Sequence, residues 1–305
     1  MQSIIRKAFT LIELLVVIAI IGILSGLIVV TMNGVTAKAN IAKSQVFSNS
    51  LRNALMLNLV SEWKFDGSGK NDNSVLVMSD TDYLVDNWGD NDIYAINLNP
   101  KIRTGNNCVY GACVEFSEES AGIYVGDSDN LYLGSGFSLE FWFYPSTSTS
   151  SANIYKGSNE WQAYYGESTF YFHIRDDDTS GYVGKTFNKG ASGVGYGQWN
   201  HLVISWNGGA FSSGIRGYMN GKDVSGILSD YNSGVFTAMR NTSADFTMQN
   251  LTGEINRMDG VRIYMSPIPT SLIKENYYTG LNSLLSSGNI DFEEYRRRID
   301  SLAGI

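Results

Sequence analysis

Cysteine and histidine are nearly absent from this sequence, with two of each among 305 residues. That excludes a fold stapled by several disulfides and leaves too few soft ligands for a zinc site of the usual Cys/His kind. Basic residues are also in deficit: 22 Lys and Arg face 30 Asp and Glu, giving a net charge of −8 and a pI near 4.8. Such a chain lacks the electrostatic footprint of phosphate-backbone binding, so no nucleic-acid partner is expected. Proline is scarce at 4, whereas glycine reaches 32 and aromatic residues 12%. This balance suits many short strands joined by glycine turns. A hydrophobic content of 43% is enough to bury a core.

One apolar run dominates the N-terminal region. From Phe9 to Met32 the chain reads FTLIELLVVIAIIGILSGLIVVTM, 24 residues in which Glu13 is the single charge. A helix of that length rises roughly 36 Å, enough to cross a hydrocarbon core of about 30 Å. Arg6 and Lys7 precede it, so the positive-inside rule keeps the N-terminus in the cytoplasm and sends everything after Met32 outside. The run differs from a secretory signal peptide: it is longer, opens with an acid and lacks a small-residue cleavage site after it. Beyond the run, Val35, Ala39, Ala42, Val46, Leu51 and Leu55 keep a helical spacing. The helix is therefore expected to continue to residue 60, with a bend at Asn33 and Gly34.

A carboxylate inside such a helix costs on the order of 2.5–3.5 kcal/mol, so Glu13 needs a partner or an interfacial position. The stretch KAFTLIELLVVIAIIGIL, residues 7–24, resembles the processing site and first helix of type IV prepilins and type II secretion pseudopilins. The resemblance implies a cut by prepilin peptidase between Ala8 and Phe9, followed by methylation of the new Phe9 amine. Ala8 stands where those families usually carry Gly. Loss of residues 1–8 removes Arg6 and Lys7, taking the side-chain charge from −8 to −10, and creates an ammonium at Phe9. In a bundle of such helices, Glu13 of one subunit then neutralises the Phe9 amine of its neighbour, which turns a penalty into a device for register. The partners implied are other pilin-like subunits, prepilin peptidase and the inner membrane.

From Val60 the texture changes to short β-branched and aromatic runs broken by Gly, Asn, Asp and Ser. SGFSLEFWFYP at 135–145, STFYFHIR at 168–175 and WNHLVISWNG at 199–208 read as strands of a sandwich. Asn220-Gly221 reads as a hairpin turn, because both residues tolerate a positive φ. Trp142, Trp199 and Trp206 read as inward-facing core fillers. Cys108 and Cys113, in CVYGAC, are expected to bridge in an oxidising compartment, closing a loop for about 2 kcal/mol, or to remain thiols in a cell lacking one.

Five stretches in order resemble the LamG-like or concanavalin A-like jelly-roll family. They are LVSEWKFDGSG at 59–69, GACVEFSEESAGIYVGDSDNLYLGSGFSLEFWFYP at 111–145, QWNHLVISWNG at 198–208, GYMNGKDV at 217–224 and MDGVRIYMSPI at 258–268. Carbohydrate binding is what the resemblance implies, through aromatics on central strands: Tyr155, Trp161, Tyr164, Tyr165, Tyr171 and His173. A packed sheet face is the competing reading of those residues. The resemblance also implies a structural calcium at the rim, with Asp66 and Asp259 in the matching motifs and Asp86 as a looser third ligand. No other cofactor is required.

Catalysis has little support, since no Glu-x-Asp-x-x-Glu run occurs and neither His173 nor His201 adjoins a nucleophile motif. After Thr270 the period turns helical again, through Leu272, Ile273, Tyr277, Leu281, Leu284 and Leu285. A second helix starts at Asp291 with Glu294 three residues on, and presents Phe292, Tyr295, Ile299 and Leu302 as one stripe.

The expected chain is thus α+β: a leader at 1–8, a transmembrane and assembly helix at 9–60, a jelly-roll sandwich at 61–268 and a helical hairpin at 269–305. Its expected role is a non-enzymatic, pilin-like subunit, a minor pilin or pseudopilin, that displays a lectin-like domain outside the cell for adhesion. The alternative is a membrane-tethered carbohydrate-binding module that never polymerises.

Overall fold

The structure, a computed structural model, describes residues 11, 12, 14–22, 58–157, 160–166, 169–178, 180–188 and 193–303. The chain divides into two compact units, Met1–Leu57 and Asn58–Ile305. In the first, residues 14–22 are helical, and apolar side chains such as Ile18 and Ile21 are exposed. Among the described residues no helix is long and apolar enough to cross a membrane. Ala8, Phe9 and Glu13 lie outside the described residues, as does the expected continuation of the helix over 23–57. The helix's expected end at residue 60 is corrected, because Leu59 and Val60 already belong to the strand Leu59–Trp63, paired to Asn256–Tyr264.

The second unit is a two-sheet sandwich. Its first sheet runs Lys222–Asp223, Ile215–Met219, Asn200–Trp206, Phe137–Pro145, Asn256–Tyr264, Ala112–Phe116, Lys101–Thr104, Ser74–Val75, with Leu59–Trp63 also paired to Asn256–Tyr264. The second runs Ser229–Asp230, Tyr182–Asn188, Thr169–Arg175, Trp161–Tyr165, Ala152–Lys156, Phe246–Asn250, Gly122–Val125, Ile93–Asn97. All pairings are antiparallel, so period-2 alternation decides what each face buries. Leu139, Phe141 and Phe143 enter the core between the sheets, where they join Trp63, Phe137, Trp161, Phe172, Trp206 and Phe246. The expected turn at Asn220-Gly221 forms, with φ of 51° and 75°.

Ser138, Glu140 and Trp142 alternate to the other side of the first sheet, yet all three are buried. The helical hairpin, Thr270–Ser286 and Phe292–Ala303, covers Glu140 and Trp142, while Ser138 hydrogen-bonds the 266–268 segment that leads into it. Its first helix buries Leu272, Ile273, Tyr277, Leu281 and Leu284, and Asp291 caps the second by accepting the Glu294 N–H at 2.8 Å. Trp142 and Trp199 therefore fill a second core, with Tyr277, Leu281, Cys108 and Cys113, rather than the space between the sheets. The reason is parity: Trp142 shares a face with Glu140, and only the hairpin makes that face dry. Phe292, expected on the buried stripe, is 61% exposed. Cys108 and Cys113 are bridged, with Cα atoms 5.5 Å apart.

Candidate functional site

The outer face of the second sheet carries a continuous group of rings. In Thr169–Arg175, Phe170, Phe172 and Ile174 point into the core, so Tyr171, His173 and Arg175 point out. Register sets their neighbours: Tyr171 lies between Tyr164 and Thr186, and His173 between Gln162 and Gly184. The Tyr164 and Tyr171 rings stack at 4.5 Å, and Tyr171 stacks on His173 at 5.6 Å. Tyr182 and Tyr231 close the group, 4.9 Å from each other and 5.4 and 6.0 Å from His173. One strand along from Gln162, Tyr155 continues the row, its hydroxyl 3.5 Å from Gln249 Oε1.

Burial keeps the imidazole and phenol of this face uncharged beside the Arg175 guanidinium, which lies 5.6 Å from the Tyr182 ring centroid. It pushes the His173 imidazole down to about 4, with the charge of Arg175 adding to the effect, and raises the Tyr171 phenol to about 12. Both ring nitrogens of His173 lack a hydrogen-bond partner among the described residues although the side chain is 4% exposed. The resulting surface is a platform of tyrosine phenols over a buried imidazole, edged by the amides of Gln162 and Gln249. Apolar C–H faces can stack on the rings, and hydroxyls can pair with the polar edges.

Of the six sequence-predicted ligand residues, Tyr155, Tyr164, Tyr171 and His173 share this face. Trp161 and Tyr165 do not: they are 1% and 5% exposed and pack in the core. Their parity explains this, since Trp161, Ala163 and Tyr165 alternate inward while Gln162 and Tyr164 face out. Sequence reasoning missed Tyr182, whose place at the start of an alternating strand was readable, and Tyr231. Tyr231 arrives through a backbone hydrogen bond from its N–H to Gly184 O, for which no local signal exists.

At the rim, Asp66 and Asp259 both accept hydrogen bonds from the backbone of the disulfide loop. The Ala112 N–H donates to Asp66 Oδ1 at 2.6 Å, and the Val109 and Tyr110 N–H groups donate to Asp259 Oδ2 at 2.9 Å each. Asp259 Oδ1 is buried with no hydrogen-bond partner among the described residues. Burial, with the charge of Asp66 adding to it, holds the Asp259 carboxyl well above the ordinary range. Two carboxyls held by one loop, one with an unsatisfied oxygen, are donors of the kind a hard, oxygen-seeking cation takes. Asp86 is not part of this pair. Its oxygens accept the N–H groups of Glu62, Trp88, Gly89 and Asn91, which fixes the 86–91 loop instead. Among the described residues, no three His, Cys, Asp or Glu side chains form a metal-binding group.

A third cluster is closed to solvent. Tyr264 Oη–H and Asn276 Nδ2–H donate to Glu140 Oε2 at 2.8 and 2.9 Å, and His201 Nε2 lies 2.8 Å from Oε1. Burial pushes the Glu140 carboxyl up, but the His201 hydrogen bond and the charge of Arg262 outweigh it and leave it below its ordinary value. With Glu140 and His201 both fully buried, this network anchors the hairpin and reaches no substrate.

Comparison with known proteins agrees with this architecture. The family model of the concanavalin A-like lectin/glucanases superfamily matches residues 117–273, about half of the chain. The chain belongs to that superfamily. Residues 5–29 match the prokaryotic N-terminal methylation motif, so this superfamily member is a pilin-like protein carrying a lectin-like jelly-roll domain. Solved structures with the same fold include the binding domain of Paraclostridial Mosquitocidal Protein 1, at 13% identity and TM-score 0.53 over 75% of this chain and 53% of that one. The binding domain of botulinum neurotoxin serotype D aligns at 14% identity and TM-score 0.51, over 75% and 53% of the two chains. The receptor binding domain of the botulinum neurotoxin C/D mosaic serotype aligns at 15% and 0.53, over 73% and 52%. The present chain thus spans about half the length of these structures, and the likeness is one of fold. No match is found among curated proteins.

Proposed function

We propose that this chain is a minor pilin or pseudopilin of a type IV pilus or type II secretion-like filament, and that its sandwich binds glycans outside the cell. The observation that carries the reading is the union of two parts in one chain: a methylation motif over residues 5–29 and a lectin-superfamily domain over 117–273. The precursor sits in the inner membrane with its N-terminus inside. Prepilin peptidase cuts between Ala8 and Phe9, and Glu13 pairs with the Phe9 amine of a neighbouring subunit. The tyrosine face supplies stacking rings and amides for a neutral saccharide, a binding rather than a catalytic arrangement. Asp66 and Asp259 hold a structural calcium beside the disulfide loop.

Mass spectrometry of the mature protein tests the first part: the expected N-terminus is N-methylated Phe9, and sheared surface material contains the protein. An intact Met1, or a Glu13→Ala variant that assembles normally, would replace this reading with that of a tethered binding module. A glycan array on wild type and Tyr171→Ala tests the second part, with loss of signal expected in the variant.

A further inference from the structure

The packing of the hairpin on the first sheet leaves a small cavity of about 260 Å³, bounded by Gln198, Asn220, Lys222, Tyr277, Arg297, Arg298 and Ser301 among others. A wider, open groove of about 960 Å³ adjoins it, sharing Lys222, Arg297 and Ser301. The cavity wall is made by close approach: a Cβ on Gly221, at φ +75°, would stand 2.9 Å from the Tyr277 ring and 3.2 Å from Leu302. Only glycine lets this turn seat against both helices.

Cations are concentrated at this point of an acidic molecule, although Glu294 already engages two of them. The protein carries −8 overall, yet three cations and no carboxylate line the cavity. The outer groove is mixed in sign, with Asp291, Glu293, Glu294 and Asp300 beside Lys222, Arg296 and Arg297. Glu294 pairs with Arg298 through one oxygen and with Arg297 through both, which leaves Lys222 as the cavity cation without a carboxylate partner among the described residues. Arg298 is only 7% exposed. Its Nε–H donates to Glu294 Oε1 at 2.7 Å, Nη1–H to Trp199 O at 2.8 Å and Nη2–H to Gln198 Oε1 at 3.1 Å. A guanidinium has five N–H donors, so these bonds fix its plane without exhausting it. Lys222 is exposed and has no ion-pair partner among the described residues.

We propose that this cavity binds a carboxylate-bearing sugar residue, its carboxylate held by Lys222, Arg297 and Arg298 and its hydroxyls by Ser301, Gln198 and Asn220. The volume falls below the roughly 300–1,000 Å³ of drug-sized pockets and has room for one sugar ring. Planar guanidinium donors suit a carboxylate, and neutral hydroxyl and amide groups beside them suit a polyol. The adjoining open groove has room for the rest of a saccharide chain. The cavity lies beside the first sheet and the tyrosine platform on the second, so the two sites stand or fall separately.

Calorimetric titration of the full chain in neutral detergent micelles, with sodium glucuronate, glucose and sodium sulfate as probes, tests the proposal. Glucuronate is expected to bind, to weaken as salt is added, and to lose about tenfold in affinity in Lys222→Ala and in Arg297→Ala, the size of one charged hydrogen bond. Both substituted side chains are solvent-facing, and an unchanged melting temperature checks that each variant is folded. Equal binding of glucose and glucuronate, no binding of glucuronate, or full retention in the Lys222→Ala/Arg297→Ala double variant would overturn the proposal. Sulfate binding as tightly as glucuronate would reduce the site to an anion hole and overturn the assignment to a sugar.

Discussion

The ring of Tyr277 lies nearly parallel to that of Trp142, centroids 5.6 Å apart and planes 14° from each other, and this stack joins the C-terminal hairpin to the first sheet. Gly280 follows one turn later, where an added Cβ would collide with the Trp142 indole. The helix can approach only because that position has no side chain. Gly280→Val is therefore expected to lift the hairpin, and Trp142→Ala to cost about 3–5 kcal/mol through the void it leaves. Denaturant unfolding measures the cost, and limited proteolysis near residues 286–291 reports the lifting. A Gly280→Val protein as stable and as protease-resistant as wild type would contradict the close packing.

Glu140 makes the same junction polar. Removing its carboxylate leaves His201, Tyr264 and Asn276 without their shared acceptor in a dry site. Glu140→Ala is expected to destabilise by about 3–5 kcal/mol, the range for breaking a buried charged network by deleting one member. Glu140→Gln keeps an acceptor oxygen and should lose less. The ordering of the two variants in urea midpoint is the check, and equal midpoints would mean that the network contributes only shape.

Parts of this arrangement were readable from the chain. Strict alternation in FSLEFWFYP, the Asn220-Gly221 turn and the Asp291 cap each act over a few residues, and each appears as local chemistry predicts. Local parity also contained the distinction between Tyr164 and Tyr165, since adjacent strand residues cannot share a face. What alternation does not contain is whether the second face of a sheet is wet. Trp142 and Glu140 have the pattern of an outward face and are dry because a hairpin more than a hundred residues later folds over them. Tyr231 and Arg298 take their roles from partners distant in sequence, whereas Asp86 is held mainly by the N–H groups of its own loop, Trp88, Gly89 and Asn91, a local turn role.

The Asp66 and Asp259 pair makes a direct prediction for calcium. The two carboxyls are held by one loop, the charge of Asp66 adds to burial in holding Asp259 well above its ordinary range, and one Asp259 oxygen is buried without a hydrogen-bond partner among the described residues. A cation bound only by the folded state stabilises it by mass action, about 2.7 kcal/mol at a hundredfold excess over Kd. Calcium is expected to raise the melting temperature of wild type, and magnesium to do so less, because it demands a smaller and more regular cage. Asp259→Asn should remove the response, while Asp86→Asn destabilises through its loop but leaves the response to calcium. A calcium response that survives Asp259→Asn places the ion elsewhere.

His173 gives the tyrosine face a pH dependence whose sign follows from its burial. Its folded-state value lies near 4, below the ordinary 6.5, so between those limits the unfolded chain binds a proton that the folded one refuses. Stability attributable to this group is therefore complete above about pH 6.5 and is lost as pH falls toward 4, by on the order of 3 kcal/mol at most. Replacing the imidazole with a ring that cannot titrate separates this contribution from the carboxylates that protonate in the same region. In His173→Phe the fall in urea midpoint between pH 6.5 and 4.5 should be shallower than in wild type, with the two curves converging at neutral pH apart from a constant packing offset. Parallel curves across the whole window would mean that the imidazole is hydrated in solution. The stacked group of Tyr171, His173 and Tyr231 would then be a looser surface than the one described, and a poorer platform for a saccharide.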